Sequence, residues 1–172
     1  MSVLEVTQLR LRGGDVADHT LLQNLSAVRA TLQTNSHFYS CIEDPSLLYI
    51  LGLWPSLEAH HAFLASPARD EVLGPQEQQL EFRWTLHMPL DAMQSLPLDA
   101  PVLAITRLVV GHDAVDAYGQ AAAKDRQPTV EATRPFNVLH GWRCDAAPGR
   151  REALQFTGWE TVQAHAAFAE AR

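Results

Sequence analysis

The sequence is poor in basic residues and has no long apolar run. Lysine and arginine number 13 against 20 aspartate and glutamate residues in a chain of 172, for a formal net charge of −7. Proteins that bind the phosphate backbone of nucleic acids need a basic face, so the composition argues against that class. No apolar stretch approaches the roughly 20 residues of a transmembrane helix, and no charged-then-apolar leader opens the chain. We therefore expect a cytoplasmic protein that binds neither nucleic acid nor a membrane.

Motifs that hold nucleotides or metals are also missing. Gly13 and Gly14 predict only a turn, because no Gly-x-Gly-x-x-Gly pattern or phosphate-cradling loop surrounds them. His60 and His61 are adjacent and so point in different directions, and no His-x-x-x-His pair or carboxylate cluster has ligand spacing. We therefore expect no metal, and any chemistry should be cofactor-free.

What the chain does contain is an internal similarity. The segment Trp54–Phe63 returns 105 residues later as Trp159–Phe168, with the Trp, two Ala, the His and the Phe identical. In the same way Val3–Leu9 resembles Val102–Leu108, at a spacing of 99 residues. Two matches in the same order predict a duplication rather than two unrelated halves.

The duplication predicts how the chain is divided. We expect a first repeat over residues 1–90, a proline-containing linker over 91–101, and a second, degenerate repeat over 102–172. Cys41 and Cys144 fall in the second-strand region of their respective repeats. Equivalent positions deep in two separate sheets are too far apart to be bridged, so we predict two thiols and no disulfide.

Apolar periodicity predicts the order β-α-β-β-α-β in the first repeat, which is the ferredoxin-like unit. The expected strands are Val3–Arg12, His37–Ile42, Leu47–Trp54 and Leu80–Met88. The expected helices are Asp18–Gln33, Ser56–Ala65 and a further segment that begins at Ser66-Pro67 and stops at Gly74-Pro75. Strict alternation in the last strand predicts one face made of Phe82, Trp84, Leu86 and Met88, and the other made of Glu81, Arg83, Thr85 and His87.

The second repeat is predicted to be shorter. It should contain a strand from Val102, a short helix over 113–124, a hairpin of strands 138–144 and 153–159, and a last helix over 161–171. Residues 125–135 are predicted to be a loop, because they are polar and contain Pro128 and Pro135. No fourth strand is predicted, so the sheet edge is covered by another chain, as in a homodimer, is covered by the linker, or is exposed.

Several strands are apolar on both faces, so both faces must be covered. Two sheets packed face to face, each with helices on its outer side, satisfy this requirement. We therefore predict an α+β fold made of two ferredoxin-like repeats packed sheet to sheet, the second without its last strand.

A family resemblance extends this prediction. The strand pattern, the Trp54-x-Ser56-x-x-x-His60 turn and the terminal Leu86-His87-Met88 resemble the fungal antibiotic biosynthesis monooxygenase (ABM) type domains of the dimeric α/β-barrel superfamily, here as a tandem pair. The resemblance covers nearly the whole chain, more closely over 3–90 than over 102–172. It implies a half-barrel in each repeat, an intramolecular dimeric α/β barrel, and pockets between each sheet and its own helices.

Histidines supply the candidate catalytic groups. The elements that carry His37, His60 and His87 would wall one pocket, and an imidazole accepts protons near neutral pH. The alternative for each is a structural histidine whose ring nitrogen bonds the backbone. The candidate substrate-binding residues are Gln8, Tyr39, Leu53, Trp54, Phe63, Trp84 and Arg107. Of these, Arg107 stands in an otherwise apolar strand and needs a carboxylate partner or a substrate anion.

The resemblance and the candidate base together suggest a function. We expect a cofactor-independent tailoring enzyme, monooxygenase-like, that acts on a flat aromatic or polyketide-type metabolite of secondary metabolism through a histidine base. A cofactor-free cyclase, isomerase or decarboxylase on a similar substrate would use the same base without oxygen. A non-catalytic small-molecule binding protein is the third alternative, and the sequence leaves open whether the chain is an enzyme.

Overall fold

All 172 residues are described in the structure, a computed structural model, and they divide into two units. The first unit is Met1–Asp91 and the second is Ala92–Arg172. Each unit contains one antiparallel sheet with helices, so the fold is α+β with two ferredoxin-like sheets, as the sequence predicts. No helix is both long and apolar enough to span a bilayer.

The first unit has a four-stranded sheet and three helices. Its strands are β1 (Val3–Leu11), β2 (His37–Ser40), β3 (Leu47–Trp54) and β4 (Leu80–Pro89), in the spatial order β2-β3-β1-β4. Its helices are α1 (His19–Leu32), α2 (Leu57–Leu64) and α3 (Ala68–Glu77). The strands and helices follow the predicted order, and the central strands β1 and β3 carry most of the buried aliphatic residues.

Side-chain caps explain where α1 and α2 begin. Asp18 Oδ1 accepts a hydrogen bond from the backbone N–H of Leu21, and Ser56 Oγ accepts one from the N–H of Ala59. Each cap satisfies an N–H that has no partner within its helix. The predicted stop at Gly74-Pro75 is wrong, because α3 continues through Pro75 to Glu77 while packing against α1. Tertiary packing here offsets the hydrogen bond that proline cannot donate.

The second unit has a three-stranded sheet in the order β5-β7-β6. Its strands are β5 (Val102–Val110), β6 (Val138–Trp142) and β7 (Arg151–Trp159), and its helices are α4 (Val115–Thr133) and α5 (Val162–Glu170). The predicted absence of a fourth strand from this sheet is confirmed, so β5 has a neighbouring strand on one side only. Cys41 and Cys144 form no disulfide, which also confirms the prediction.

The loop predicted over residues 125–135 is largely helical, because α4 runs through Pro128 to Thr133. Thr129 and Thr133 are buried, and their hydroxyls donate to the backbone oxygens of Asp125 and Thr129 respectively. Packing of these two buried threonines stabilises this part of the helix. The rule that proline interrupts a helix considers only the local backbone, so it does not predict this segment.

Strand register decides which side chains face the helices. Glu5, Thr7 and Leu9 alternate on the helix-facing side of β1, and they lie opposite Gly52, Ile50 and Leu48 of β3. On the other side β1 pairs with β4, where the register shifts between Gln8 and Leu9. Gln8 lies opposite Trp84 and Leu9 lies opposite Phe82, so Arg83 is the extra residue of a β-bulge. The predicted shared face of Phe82 and Trp84 is therefore wrong, because the bulge places them on opposite faces.

Candidate active site

A cavity of about 340 Å³ lies in the first unit between the sheet and its three helices. Its floor is the helix-facing side of the sheet, where Thr7, Ile50 and Thr85 meet. Its walls are apolar side chains of the three helices, namely Leu25, Val28, Leu32, Phe63, Leu64 and Leu73. A small-molecule site of this kind is mostly apolar with a few fixed polar groups.

The floor carries one carboxylate, that of Glu5, which the sequence reasoning did not single out. Trp54 Nε1 donates to Glu5 Oε2 at 2.5 Å, and Thr7 Oγ1 donates to Glu5 Oε1 at 2.6 Å. Thr7 and Thr85 hydroxyls lie 2.9 Å apart, and because Thr7 donates to Glu5, Thr85 is the donor in that pair. Two donors, Trp54 Nε1 and Thr7 Oγ1, therefore hold the carboxylate in one orientation, and Thr85 orients the Thr7 hydroxyl.

Two histidines continue this polar line. His60 Nε2 lies 3.9 Å from Glu5 Oε2, and His60 Nδ1 lies 2.7 Å from His87 Nε2. His60 is 5% exposed and lines the cavity, whereas His87 is 1% exposed and lies behind His60, outside the lining. The residues Glu5, His60 and His87 form what we call the acid-histidine line. Of its two imidazoles, His60 is the one that a bound molecule can reach.

The orientation of His60 is fixed by ring packing as well. The imidazole stacks on Trp54 with ring centroids 4.3 Å apart and planes 13° apart. Phe63 also stacks on this indole, with ring centroids 5.7 Å apart and planes 29° apart. One indole therefore holds Glu5 through its N–H and His60 through its ring face, which fixes acid and imidazole relative to each other.

The other predicted residues of the first unit lie elsewhere. The structure brings together His60, Trp54 and Phe63 in the cavity, but it places five predicted residues on the opposite face of the sheet: Gln8, His37, Tyr39, Leu53 and Trp84. Their strands were correctly predicted, but a strand that is apolar on both faces does not reveal which face meets the helices.

The opposite face has its own polar contacts. Gln8 Nε2 donates to the Tyr49 hydroxyl at 2.7 Å, and Tyr49 meets Trp84 edge to face at 6.0 Å. Burial raises the pKa of the Tyr39 phenol, whose oxygen has no hydrogen-bond partner. Burial, and secondly the charge of Arg29, lower the pKa of His37.

Arg107 in the second unit has a carboxylate partner. Its Nε donates to Glu152 Oε1 at 2.5 Å, and Arg143 Nη1 donates to Glu152 Oε2 at 3.0 Å. Glu152 is 1% exposed. Burial acts to raise the pKa of this carboxyl, but the hydrogen bonds and charges of the two arginines outweigh it and hold the pKa below its usual value. A structural ion-pair network thus accounts for the charge of Arg107.

The second unit repeats part of the site without the acid. Val102 lies opposite Trp159 just as Val3 lies opposite Trp54, so Ala104 and Thr157 take the register positions of Glu5 and Gly52. Trp159 Nε1 donates to Thr157 Oγ1 at 2.9 Å instead of to a carboxylate. His165 meets the Trp159 ring at 5.2 Å with a tilt of 50°. The indole and the imidazole are present there, and the carboxylate is not.

No group of three or more His, Cys, Asp and Glu side chains is arranged to hold a metal ion. The polar groups around Trp54 at one end of the cavity are the Glu5 carboxylate, the His60 imidazole and the hydroxyl of Thr7. This set can accept, donate and relay protons.

Comparison with solved structures identifies the fold. Over 98% of its length the chain resembles a proposed chlorite dismutase, covering 84% of that protein with a TM-score of 0.65 and 10% identity. Over 99% of its length it resembles a proposed monooxygenase from Fusobacterium nucleatum subsp. nucleatum, covering 81% of that protein with a TM-score of 0.63 and 8% identity. The chain therefore has the fold of these two proteins over nearly its whole length.

A third solved structure matches only about half of the chain. About 53% of the chain matches 98% of a proposed antibiotic biosynthesis monooxygenase from Bordetella bronchiseptica, with a TM-score of 0.46 and 13% identity, a likeness too low to bear on function. No protein family model and no curated protein matches the sequence.

Proposed function

We propose that the protein is a cofactor-free tailoring enzyme of the monooxygenase type that acts on a flat aromatic or polyketide-like metabolite. One observation carries the proposal: the imidazole of His60 lines an apolar cavity while Glu5 and His87 lie on either side of it. A base of this kind needs a fixed tautomer and a counter-charge, and the acid-histidine line supplies both.

The shape and lining of the cavity support an aromatic substrate. Its volume of about 340 Å³ is at the small end of the range of roughly 300–1,000 Å³ for small-molecule sites. Trp54 and Phe63 contribute flat aromatic surface to its wall. A planar apolar ligand gains the most from such a wall, because aromatic side chains bury large areas and stack favourably.

His60 acts as the base in this proposal. When its Nδ1–H donates to His87 Nε2, its Nε2 carries the lone pair and can accept a proton from a substrate in the cavity. The resulting imidazolium has its new N–H 3.9 Å from the Glu5 carboxylate, which stabilises the positive charge. His87 touches no substrate and is a positioning residue that selects the tautomer of His60.

The proposed reaction begins with removal of a proton from an acidic carbon or phenol of the substrate. For an anthrone, the resulting carbanion reacts with O2 at its methylene carbon. One oxygen atom becomes the new carbonyl, and the other leaves as water with the two hydrogens of that carbon. The apolar cavity favours this step, because a dry site keeps the carbanion from being reprotonated by solvent.

The same base can act without oxygen. Proton removal by His60 would also serve a cyclase, an isomerase or a decarboxylase on a similar substrate, since the imidazole of His60 and the carboxylate of Glu5 are proton-transfer groups. A binding protein would use Glu5 and His60 only as hydrogen-bond partners of its ligand. An oxygenase consumes O2 and substrate, an oxygen-independent enzyme consumes substrate alone, and a binding protein consumes neither. One experiment can therefore distinguish them.

The experiment is oxygen uptake by metal-stripped protein with a panel of anthrones, together with mass spectrometry of the products. Wild type should consume one O2 per quinone formed, and His60→Gln should reduce the rate by about 100-fold or more. His165→Gln is the matched control, since His165 contacts Trp159 in the second unit, and it should keep the wild-type rate. Products without oxygen uptake would indicate a cyclase, isomerase or decarboxylase, whereas binding without products would indicate a binding protein.

The proposal also covers how the chain arose and where in the cell and in metabolism the protein acts. We propose that the repeats expected at 1–90 and 102–172 are a tandem duplication joined by the linker expected over 91–101. The equal registers of Val3 with Trp54 and of Val102 with Trp159 support it. A cytoplasmic location, a place in secondary metabolism, kinship with the fungal members of the ABM type and a homodimer remain parts of this proposal.

A further inference from the structure

We propose that the hydroxyls of Thr34 and Ser36 bind a carbonyl oxygen of the substrate, so that the cavity selects flat aromatic ketones whose acidic C–H group is conjugated to that carbonyl. This inference rests on the proposed function of the cavity as an aromatic substrate site. It adds a second set of ligand contacts beside the acid-histidine line, and we call these two hydroxyls the hydroxyl pair.

The hydroxyl pair lies on the cavity side of the sheet. Gly52 of β3 pairs with Glu5 of β1, so a side chain at Gly52 would point toward the helices, as that of Glu5 does. A Cβ at Gly52 would lie 2.7 Å from Ser36 Oγ and 3.4 Å from Thr34 Oγ1. Thr34 and Ser36 line the cavity, whereas Gly52 is buried and does not. The two hydroxyls therefore cover Gly52 and form the cavity floor at this point.

The hydroxyl pair has one more proton than its own hydrogen bond uses. Thr34 Oγ1 and Ser36 Oγ lie 2.6 Å apart, and either can donate to the other. Each hydroxyl has a single proton, so the second proton of the pair remains, and no acceptor in the protein takes it. Thr34 and Ser36 are only 4% and 6% exposed, and a buried donor without an acceptor is costly. The pair therefore offers a donor to the cavity, and the ligand atom that meets it must be an acceptor.

The backbone holds the hydroxyl pair in place. Between α1 and β2, Gln33 and Asn35 both have left-handed φ angles, of 54° and 49°. These two bends bracket Thr34, whose carbonyl oxygen accepts a hydrogen bond from the N–H of Leu53 at 2.8 Å. Because the bends and this hydrogen bond fix the segment, the hydroxyls lie in place before a ligand binds. Donors held in this way stabilise charge on a ligand oxygen without having to reorganise.

The position of the pair relative to His60 fits the proposed chemistry. Trp54, on which His60 stacks, follows Gly52 by two residues on the same face of β3, a spacing of roughly 7 Å. In an anthrone the methylene carbon and the carbonyl are at opposite positions of the central ring. Removal of a methylene proton moves negative charge onto the carbonyl oxygen, where a hydroxyl donor stabilises it. One ligand can therefore meet His60 with its acidic carbon and the hydroxyl pair with its carbonyl.

The test uses two unreactive ligands that differ in one acceptor. 9-Fluorenone has a carbonyl where fluorene has a methylene group, and equilibrium dialysis measures the dissociation constant of each. Thr34→Val/Ser36→Ala, which lacks both hydroxyls, should bind 9-fluorenone about fivefold more weakly than wild type does, with fluorene changed less than about twofold. Thr31→Val/Ser40→Ala, at two exposed positions outside the cavity lining, is the matched control and should bind both ligands as wild type does.

Infrared spectroscopy detects the same contact without any substitution. A hydrogen bond lowers the stretching frequency of a carbonyl group, so the band of 9-fluorenone bound to wild type should lie below its position in an apolar aprotic solvent. The shift should be lost in the variant that lacks both hydroxyls. Circular dichroism checks that this variant is folded, and if it is not, the wild-type spectrum alone decides.

Three results would overturn the proposal: no binding of 9-fluorenone to wild type, an unshifted carbonyl band in the wild-type complex, or a folded double variant that binds both ligands with the same relative change. The proposed function is tested separately, because neither ligand is oxidised. A shifted band in a protein that consumes no oxygen with anthrones would keep the hydroxyl pair and reject the oxygenase. Oxygen uptake together with an unshifted band would reject the hydroxyl pair alone.

Discussion

The indole N–H of Trp54 donates to Oε2 of Glu5 at 2.5 Å, and the same indole stacks on the imidazole of His60. A single side chain therefore sets the distance between the carboxylate and the proposed base. The carboxylate is bonded on its other oxygen by Thr7. The protein itself holds the carboxylate in place. Replacing Glu5 therefore tests directly what its charge contributes to the proposed proton transfer.

Replacing the carboxylate by an amide of the same shape should affect the chemical step. In Glu5→Gln the imidazolium of His60 loses its counter-charge, so we expect kcat to fall about 10- to 100-fold with KM changed less than about twofold. Steady-state oxygen uptake with an anthrone measures both constants. Glu71→Gln, at an exposed glutamate of α3, is the matched control and should behave as wild type. An unchanged kcat in Glu5→Gln would show that Glu5 is only structural.

His87 is expected to act through His60 alone. His87→Leu removes the partner of His60 Nδ1, whereas glutamine at this position can still exchange a hydrogen bond with it. We expect kcat to fall about tenfold in His87→Leu and to recover partly in His87→Gln, with a changed pH profile of kcat in the leucine variant. If both variants lose activity equally, packing rather than tautomer selection is the role of His87.

Glu152 should make the second unit sensitive to acid. Its pKa is held below the usual 4.5 in the folded protein, so its ion pairs stabilise the fold above pH 4.5, and this stabilisation is lost as the pH falls through the depressed value. Glu152→Gln leaves Arg107 and Arg143 without their carboxylate and should lower the free energy of unfolding at pH 7 by about 2–3 kcal/mol. Urea unfolding at pH 7 and pH 3 measures this.

The difference between wild type and Glu152→Gln should shrink at pH 3, because pH 3 lies below the usual pKa of 4.5 and the wild-type carboxyl then takes up a proton on unfolding, which favours the unfolded state. The exposed Glu160→Gln serves as a control with no expected effect at either pH. A difference that is independent of pH would contradict the assigned role of the ionised Glu152.

Two glycines should differ in their tolerance of a methyl group. A Cβ at Gly158 would lie 2.6–2.8 Å from the Cβ atoms of Ala100, Phe136 and Pro97, which cannot rotate away. At Gly52 the close atom is Ser36 Oγ at 2.7 Å, which can change rotamer at the expense of its bond to Thr34. We expect Gly158→Ala to destabilise by about 2–3 kcal/mol and Gly52→Ala by about 1 kcal/mol, measured by urea unfolding. Equal losses would indicate that the backbone moves at both sites.

The sequence predicts most of the fold because its local patterns agree with one another. Strand β3 is predicted to the residue. The two helices predicted to start at Ser56 and Thr161 do begin there, with each hydroxyl accepting a backbone N–H, from Ala59 and Ala164 respectively. The caps depend on residues three positions apart and the strand on its alternating positions. Both are local patterns, so the sequence alone predicts them. The sequence does not predict the helix through Pro128, because packing of buried residues stabilises that segment.

The site is predicted less well, because it depends on which face of the sheet meets the helices. His60 belongs to a capped helix and is located correctly, but Gln8, His37 and Tyr39 belong to strands that are apolar on both sides. Phe82 and Trp84 are misassigned because a bulge shifts the register by one residue. Glu5 was missed, although a lone carboxylate in an apolar strand is a pattern that could have identified it.

The indole of the second unit shows what the fold itself requires of this position. Ala104 stands where the first unit has Glu5, and the hydroxyl of Thr157 accepts the Trp159 N–H in place of a carboxylate. A buried indole N–H needs one acceptor, and a neutral hydroxyl is sufficient. The carboxylate of the first unit is therefore not needed to satisfy its indole, so the desolvation of Glu5 is a cost that the fold alone does not explain.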